Sequence, residues 1–250
     1  LNKHHKTMNK INVGVIGVGY LVQHHARMFS ELGAFNNVRL VGVVDTDTKR
    51  AKEISNKYGC DWYSNYRDML DKVDAVSIVS PTTMHYEIAM DCIKAGKDIL
   101  IEKPITTTVK EADMLIDRAA KAGTIIQVGH LERFNPVFSE AYRLIDNPIF
   151  IEAERMSPFL GRGIDVDVTL DLMIHDIDII LTLINKPSDF SPHPSAFIKD
   201  IKATGGRVLT DNIDIAMAWF EFEDGTQALL KSSRITSEKS RNLKIFQKDS

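Results

Sequence analysis

Five short apolar runs recur through the first half of the sequence, at Ile11–Ile16, 39–44, 75–79, Asp98–Ile101 and 124–128. The stretches between them near 20–32, Thr48–Tyr58, 83–95 and Val109–Ala122 carry apolar residues at helical spacing. Strands joined through helices cannot pair as hairpins, so the alternation calls for a parallel sheet with helices on both faces. Ala95-Gly96 and Ala122-Gly123 stand directly before strands, where a left-handed glycine ends a helix.

After Gly129 the pattern changes. A helix is expected at 136–145, a strand at 149–156, and a loop holding Pro158, Gly161 and Gly163. An apolar helix at 167–185 follows, with Asp167 as its N-cap. The rest is β pattern at 196–204, 212–223, 226–237 and 243–248, with Asp224-Gly225 as a hairpin signal. The expected fold is an N-terminal α/β Rossmann-type domain, residues 8–131, followed by an α+β domain, residues 132–250, on a mostly antiparallel open sheet. Residues 1–7, ahead of Met8, are expected to be a disordered extension. The β pattern breaks off at Ser250 without a closing helix, so the second domain is expected to continue beyond it.

In 213–220, Ile213, Ile215, Met217 and Trp219 alternate with Asp214, Ala216, Ala218 and Phe220. The second row is too apolar for a solvated surface. One face of this sheet is therefore expected to cover helices and the other to meet a second copy of the chain, giving a homodimer or homotetramer.

Lys and Arg total 31 against 34 Asp and Glu, a formal charge of −3 that lacks the basic field of a nucleic-acid binder. No apolar run approaches a membrane span, and residues 1–10 have no apolar core of a signal peptide. Cys60 and Cys92 form no metal or disulfide pattern, which suits reduced thiols and a cytoplasmic location.

Val13-Gly14-Val15-Ile16-Gly17-Val18-Gly19-Tyr20-Leu21-Val22 reads as strand, glycine turn and helix. Gly17 permits the tight turn, and Gly19 lets the backbone approach a pyrophosphate at the helix start, which Tyr20 and Leu21 open. Val22 replaces the third glycine of the dinucleotide fingerprint. Asp45, ending the next strand, would accept hydrogen bonds from the adenosine ribose and repel a 2′-phosphate, favouring NAD over NADP. Lys49 and Arg50 follow closely, either as a solvated helix start or as a counterweight to that preference.

The run Ile99-Leu100-Ile101 ends in Glu102-Lys103-Pro104. Pro104 turns the chain out of the sheet, leaving Lys103 at the carboxyl edge where α/β sheets bind ligands. Lys103 is either a catalytic cation or an ordinary solvated lysine. On the apolar helix 167–185, Asp171, His175, Asp178 and Thr182 form one stripe, with Asp176 off it. The stripe either faces water or presents a base beside a carboxylate. One Asp and one His are too few for a metal site.

Taken in order, Gly17-Val18-Gly19, Ser80-Pro81-Thr82-Thr83-Met84-His85, Glu102-Lys103-Pro104 and Asp171-Leu172-Met173-Ile174-His175 closely resemble the glucose–fructose oxidoreductase/inositol dehydrogenase/rhizopine catabolism (Gfo/Idh/MocA) family. The resemblance implies a nicotinamide-dependent oxidoreductase of sugars, cyclitols or related polyols. It implies Lys103 as catalytic lysine and His175 as acid/base with Asp171 as its partner. It also puts Ser80, Pro81, Thr82 and His85 near the nicotinamide ribose, and Glu102 with Lys103 at the cofactor. Thr82 stands where many members have asparagine.

Gln127-Val128-Gly129-His130-Leu131-Glu132-Arg133-Phe134-Asn135-Pro136 and the stretch from Asp171 to Asp178 resemble the branch with UDP-N-acetyl-hexosamine 3-dehydrogenases and MviM-like proteins. That likeness implies Arg133 and Asn135 as substrate-binding residues. Arg162 is a second candidate anion clamp or a solvated loop arginine. The expected function is NAD-dependent oxidation of a secondary hydroxyl on a nucleotide-sugar. The alternatives are a cyclitol or free-sugar dehydrogenase, and a non-catalytic nicotinamide-binding redox sensor.

Overall fold

The computed structural model describes residues 10–17, 19, 22–35, 37–161, 163–186 and 197–248, with backbone alone at 22, 23, 34 and 35. Tyr20, Leu21 and Arg162 therefore lie outside the described residues, as does the 1–7 extension. The chain divides into two compact units, one ending at Gly129 and one beginning at His130.

The first unit contains β1 (Ile11–Ile16), α1 (Val22–Phe35), β2 (Val38–Val44), α2 (Thr48–Tyr58), β3 (Asp61–Tyr63), β4 (Ala75–Ile78), α3 (Thr82–Lys94), β5 (Asp98–Ile101), α4 (Val109–Ala122) and β6 (Ile126–Val128). Its six strands run in the order β3-β2-β1-β4-β5-β6 and all pair in parallel. Apolar runs make the central strands because both faces are covered: Val15, Val43, Val76, Ile78 and Ile101 are almost wholly buried. Helix ends follow local chemistry. The Asp47 carboxylate accepts the Arg50 N–H, Thr108 and Glu111 form a capping box, and Gly59 and Gly123 end α2 and α4 in the left-handed conformation.

β3 was not expected. It is three residues long, carries an acid and an exposed Trp62, and gains its place by pairing with Gly42–Val44 of β2. The strand order reverses at β1, so the carboxyl ends of β1 and β4 flank the crevice where such sheets take a ligand.

The second unit contains α5 (Pro136–Leu144), β7 (Pro148–Met156), α6 (Ile174–Ile184), β8 (Ile198–Gly206), β9 (Ile215–Phe222), β10 (Gln227–Ser233) and β11 (Ser240–Gln247). The sheet order is β11-β7-β10-β9-β8, antiparallel except for the β10–β7 pair. A Rossmann-type unit plus a mostly antiparallel open sheet is the fold class the sequence implied.

The row Ala216, Ala218, Phe220 and Phe222 is the buried one, packed with Ile151, Ala153, Ala228 and Leu230 and with Met173, Ile179, Ile180 and Leu183 of the helical layer. The opposite face carries Ile215, Met217 and Trp219, with Phe150 between Trp219 and Phe246 at ring separations of 5.7 and 5.9 Å. Asp167 does not cap α6. A π-turn at Thr169–Met173 precedes the helix, and the Asp167 carboxylate accepts the Ile213 N–H at 2.7 Å instead. This π-turn also changes the phase between Asp171 and His175, which plain α spacing had set one turn apart.

A buried ion pair organises the loops beside that helix. Asp214 is fully buried and accepts the N–H groups of Val208, Leu209 and Thr210, the Thr210 hydroxyl at 2.7 Å and Arg234 Nε at 3.0 Å. Arg234 also donates to the carbonyls of Gly163, Val166 and Ile213. Burial opposes the Asp214 charge, but the Thr210 hydroxyl and the three N–H groups outweigh it and hold the carboxyl well below its ordinary range. Its contribution to stability is therefore complete above the ordinary carboxylate range and is lost as pH falls through the lowered pKa. Asp214→Ala strands a buried guanidinium and is expected to cost about 3–5 kcal/mol, read as a lower urea midpoint. A midpoint equal to the parent's would rule the pair out as an organiser of these loops.

Candidate active site

At the end of β1, Gly17 adopts φ +96° and donates its N–H to the Val44 carbonyl at 2.8 Å. A Cβ at Gly17 would come within 2.9 Å of the Ser80 backbone nitrogen, so only glycine lets the turn after β1 lie this close to the exit of β4. Among the described residues, a Cβ at Gly19 would meet nothing within 4 Å. Its value lies in the open space beside the start of α1, which suits a pyrophosphate. Asp45 follows β2, and its Oδ1 accepts the Asp47 N–H at 2.8 Å.

The Ser80 hydroxyl oxygen is buried and has no hydrogen-bond partner among the described residues. A hydroxyl so placed at the switch point is what a bound ribose or amide would satisfy. Gly17, Gly19, Asp45 and Ser80 thus fit a dinucleotide.

Pro81 is the exposed N-cap of α3, Thr82 is buried at its first position, and His85 is 1% exposed. The His85 ring lies between two carbonyls: Nε2 is 2.9 Å from that of Ser80 and Nδ1 2.9 Å from that of Pro104. Both partners are acceptors, so the ring stands between the exits of β4 and β5 with its one N–H able to bond either. Glu102 is also engaged within the chain. Its Oε1 lies 3.1 Å from His25 Nε2, and its Oε2 accepts the Lys103 N–H at 3.3 Å. Lys103 is half-buried at the carboxyl end of β5.

In the second unit, Asp171 and His175 are both half-buried. Asp171 lines a cavity of about 50 Å³ with Ser157, Phe159 and Arg234. The other acids near them serve ion pairs. Asp178 is 7% exposed and accepts Nε and Nη2 of Arg133 at 2.5–3.0 Å, while the Thr182 hydroxyl donates back to the Asp178 carbonyl. The Asp178 carboxylate holds the Arg133 guanidinium above its ordinary range.

Asp176 accepts Nε and Nη2 of the buried Arg155, whose Nη1 reaches Glu132 at 3.2 Å. Asn135 caps α5 through the Val137 N–H and donates to Glu132. Arg133 and Asn135, offered by the sequence as substrate ligands, therefore have structural partners. Sequence reasoning missed His25 and Arg155. For Arg155 a signal existed, since it shares the inward row of β7 with Ile151 and Ala153, where a charge demands a buried partner.

No group of three or more His, Cys, Asp or Glu among the described residues could hold a metal, and no helix among them is long and apolar enough to cross a membrane. Fold and turn together define a dinucleotide-binding protein. Residues 11–130 match the model of the oxidoreductase family with an NAD-binding Rossmann fold, Gfo/Idh/MocA, and the chain belongs to that family.

Among its relatives, the UDP-N-acetylglucosamine 3-dehydrogenase of Acidithiobacillus ferrooxidans is 37% identical over 97% of this chain and 73% of its own length. The solved structure of that enzyme superposes with a TM-score of 0.85, covering 97% of this chain and 75% of the other. The scyllo-inositol 2-dehydrogenase (NAD(+)) of Bacillus subtilis is 26% identical over 90% of this chain and 68% of its own length. The NAD complex of GenD2 from gentamicin A biosynthesis, 19% identical over 100% of this chain and 73% of that one, shares the fold at a TM-score of 0.85.

Gly17→Ala must strain a left-handed φ, at about 1–2 kcal/mol, and push against the exit of β4. Its expected outcome is a folded protein with weakened NAD affinity, read by fluorescence titration. Parent-like affinity would exclude this turn from the cofactor site.

Proposed function

We propose that the protein is an NAD-dependent dehydrogenase oxidising a secondary hydroxyl of a nucleotide-activated sugar, with UDP-N-acetyl-hexosamines as the substrate class. The observation that carries this reading is identity of 37% along 97% of the chain with a relative named for that chemistry. Lys103 at the exit of β5 supports it, as do Asp171 and His175, which the family pattern makes the acid/base pair. NAD, when bound, supplies the hydride acceptor at its nicotinamide ring. Lys103 donates a hydrogen bond to the reacting hydroxyl oxygen, His175 takes its proton, and Asp171 holds the imidazole. Asp45 accepts from the adenosine ribose hydroxyls and disfavours a 2′-phosphate.

A cyclitol is the second reading. Arg133 commits its Nε and Nη2 donors to Asp178 and Asn135 caps its helix, which leaves fewer groups for a phosphate, and an uncharged ring needs no clamp. Incubation with NAD and, separately, UDP-N-acetylglucosamine, UDP-N-acetylgalactosamine, N-acetylglucosamine, myo-inositol and scyllo-inositol separates the readings by NADH formation. Turnover of inositols alone would overturn the nucleotide-sugar assignment, and turnover of none would favour the redox sensor. With the turned-over substrate, His175→Ala is expected to lower kcat by on the order of 10²–10⁴ while leaving NAD binding intact. Near-parental kcat would remove His175 from its role.

Both cysteines are free; burial pushes the Cys60 thiol up to about 11 and the Cys92 thiol up to about 12. Reduced, unreactive thiols fit a cytoplasmic protein. The apolar open face with Phe150, Trp219 and Phe246 suits a second copy of the same sheet, so the full-length protein is expected to be a dimer or tetramer. Light scattering that finds a monomer at micromolar concentration would overturn this.

A further inference from the structure

Where β5 ends, the chain must find new partners for its backbone polar groups. Ile101 is the last rung, its carbonyl accepting the Gly129 N–H at 2.7 Å, and the Glu102 N–H still donates to the Ile78 carbonyl at 3.0 Å. From there side chains take over. The Lys103 N–H donates to Glu102 Oε2 at 3.3 Å, and the Pro104 carbonyl faces His85 Nδ1 at 2.9 Å. Lys103 is therefore bracketed by one bond to a carboxylate and one to an imidazole.

The carboxylate is held in turn. Glu102 Oε1 lies 3.1 Å from His25 Nε2, and His25 Nδ1 lies 2.9 Å from the hydroxyl of Ser77, which is fully buried in β4. One tautomer satisfies both contacts: Nε2–H donates to Glu102, and Nδ1 accepts the Ser77 proton. Gly129 leaves room for the carboxylate, since a Cβ there would come within 3.0 Å of Glu102 Oε1. A run of hydrogen bonds thus leads from the centre of the sheet, through α1, to the peptide that carries Lys103.

We propose that His25 is a positioning residue for Lys103, acting through the Glu102 carboxylate. This rests on the reading of Lys103 as the donor to the reacting hydroxyl. A lysine has a long flexible stem, so the direction in which its ammonium works depends on how firmly its own backbone is fixed. The His25–Glu102 contact fixes the peptide at the root of that stem through the Glu102 carboxylate.

Three substitutions separate this role from simple packing. His25→Gln keeps a donor near the place of Nε2, His25→Asn keeps a polar group only near Nδ1, and His25→Ala removes both. With UDP-N-acetylglucosamine and NAD, the Ala and Asn variants are expected to lose on the order of 10–10²-fold in kcat, with NAD affinity and sugar KM within about twofold of parent. The Gln variant is expected to recover most of that loss. Equal kcat in all three folded variants, or losses that fall on NAD affinity instead, would overturn the proposal.

Lys103→Met run alongside distinguishes the two claims. If it keeps parental kcat, the reading of Lys103 fails and the positioning role with it. If it collapses kcat while His25→Ala does not, the positioning role alone fails. Should the His25 variants not fold, Gly129→Ala presses on Glu102 from the other side. A lower kcat with unchanged NAD affinity supports the link, and an unchanged kcat overturns it.

Discussion

Buried backbone groups that leave a sheet or helix must be hydrogen-bonded, and that requirement places much of the polar chemistry in both units. In the first unit it falls on the exits of β4 and β5, where the ladder stops and a proline removes one donor. His85 and Glu102 fill the gap with side-chain bonds. In the second unit it falls on the turn before β9, where Asp214 accepts three successive N–H groups and Arg234 covers three carbonyls. An unmade bond at such places costs about 1–3 kcal/mol, comparable to a large share of a domain's net stability. The residues that carry these bonds are therefore as constrained as residues that would touch a ligand.

The ion pairs around α6 obey the same logic with charge added. Arg155 is 5% exposed, a position that carries a heavy desolvation penalty for a lone guanidinium. Burial works against its charge, and the bonds to Asp176 and Glu132 more than offset that. Arg133 meets Asp178 from the segment just after His130, so the two sides of one turn of α6 are each pinned by an arginine. Because Asp176 and Asp178 follow His175 closely in sequence, the same pairs set the rotation of the helix that carries it. An exposed pair such as Lys121–Asp117 does no comparable work, since solvent screens it.

Much of the fold was legible because its signals are local. The apolar runs of β1, β4 and β5 are buried on both faces, so each reads as a continuous run whatever its neighbours. The bounds of α2 and α4 follow from caps that lie inside the helix ends themselves. β3 was illegible because three residues with an acid and an exposed tryptophan carry no periodicity; only its pairing with β2 makes it a strand. The start of α6 was misread for a related reason. Asp167 has the residue type of a cap, but its carboxylate finds the Ile213 N–H, 46 positions away, which no local pattern announces.

The candidate site divides along the same line. Gly17 and Lys103 could be singled out from sequence because a glycine turn after a strand and a lysine before a proline are local arrangements with direct geometric consequences. His25 could not, because its partners Ser77 and Glu102 lie 52 and 77 positions away and an isolated histidine on a helix looks the same with or without them. Arg133 shows the converse limit. A motif can mark an arginine as important without saying whether its charge meets a phosphate or a buried aspartate, because both uses demand the same planar fork. The position of Asp178, at 7% exposure with both oxygens on that fork, commits Nε and Nη2 to the second use here. Any specificity for an anionic substrate must then come from groups other than the Arg133 Nε and Nη2 donors.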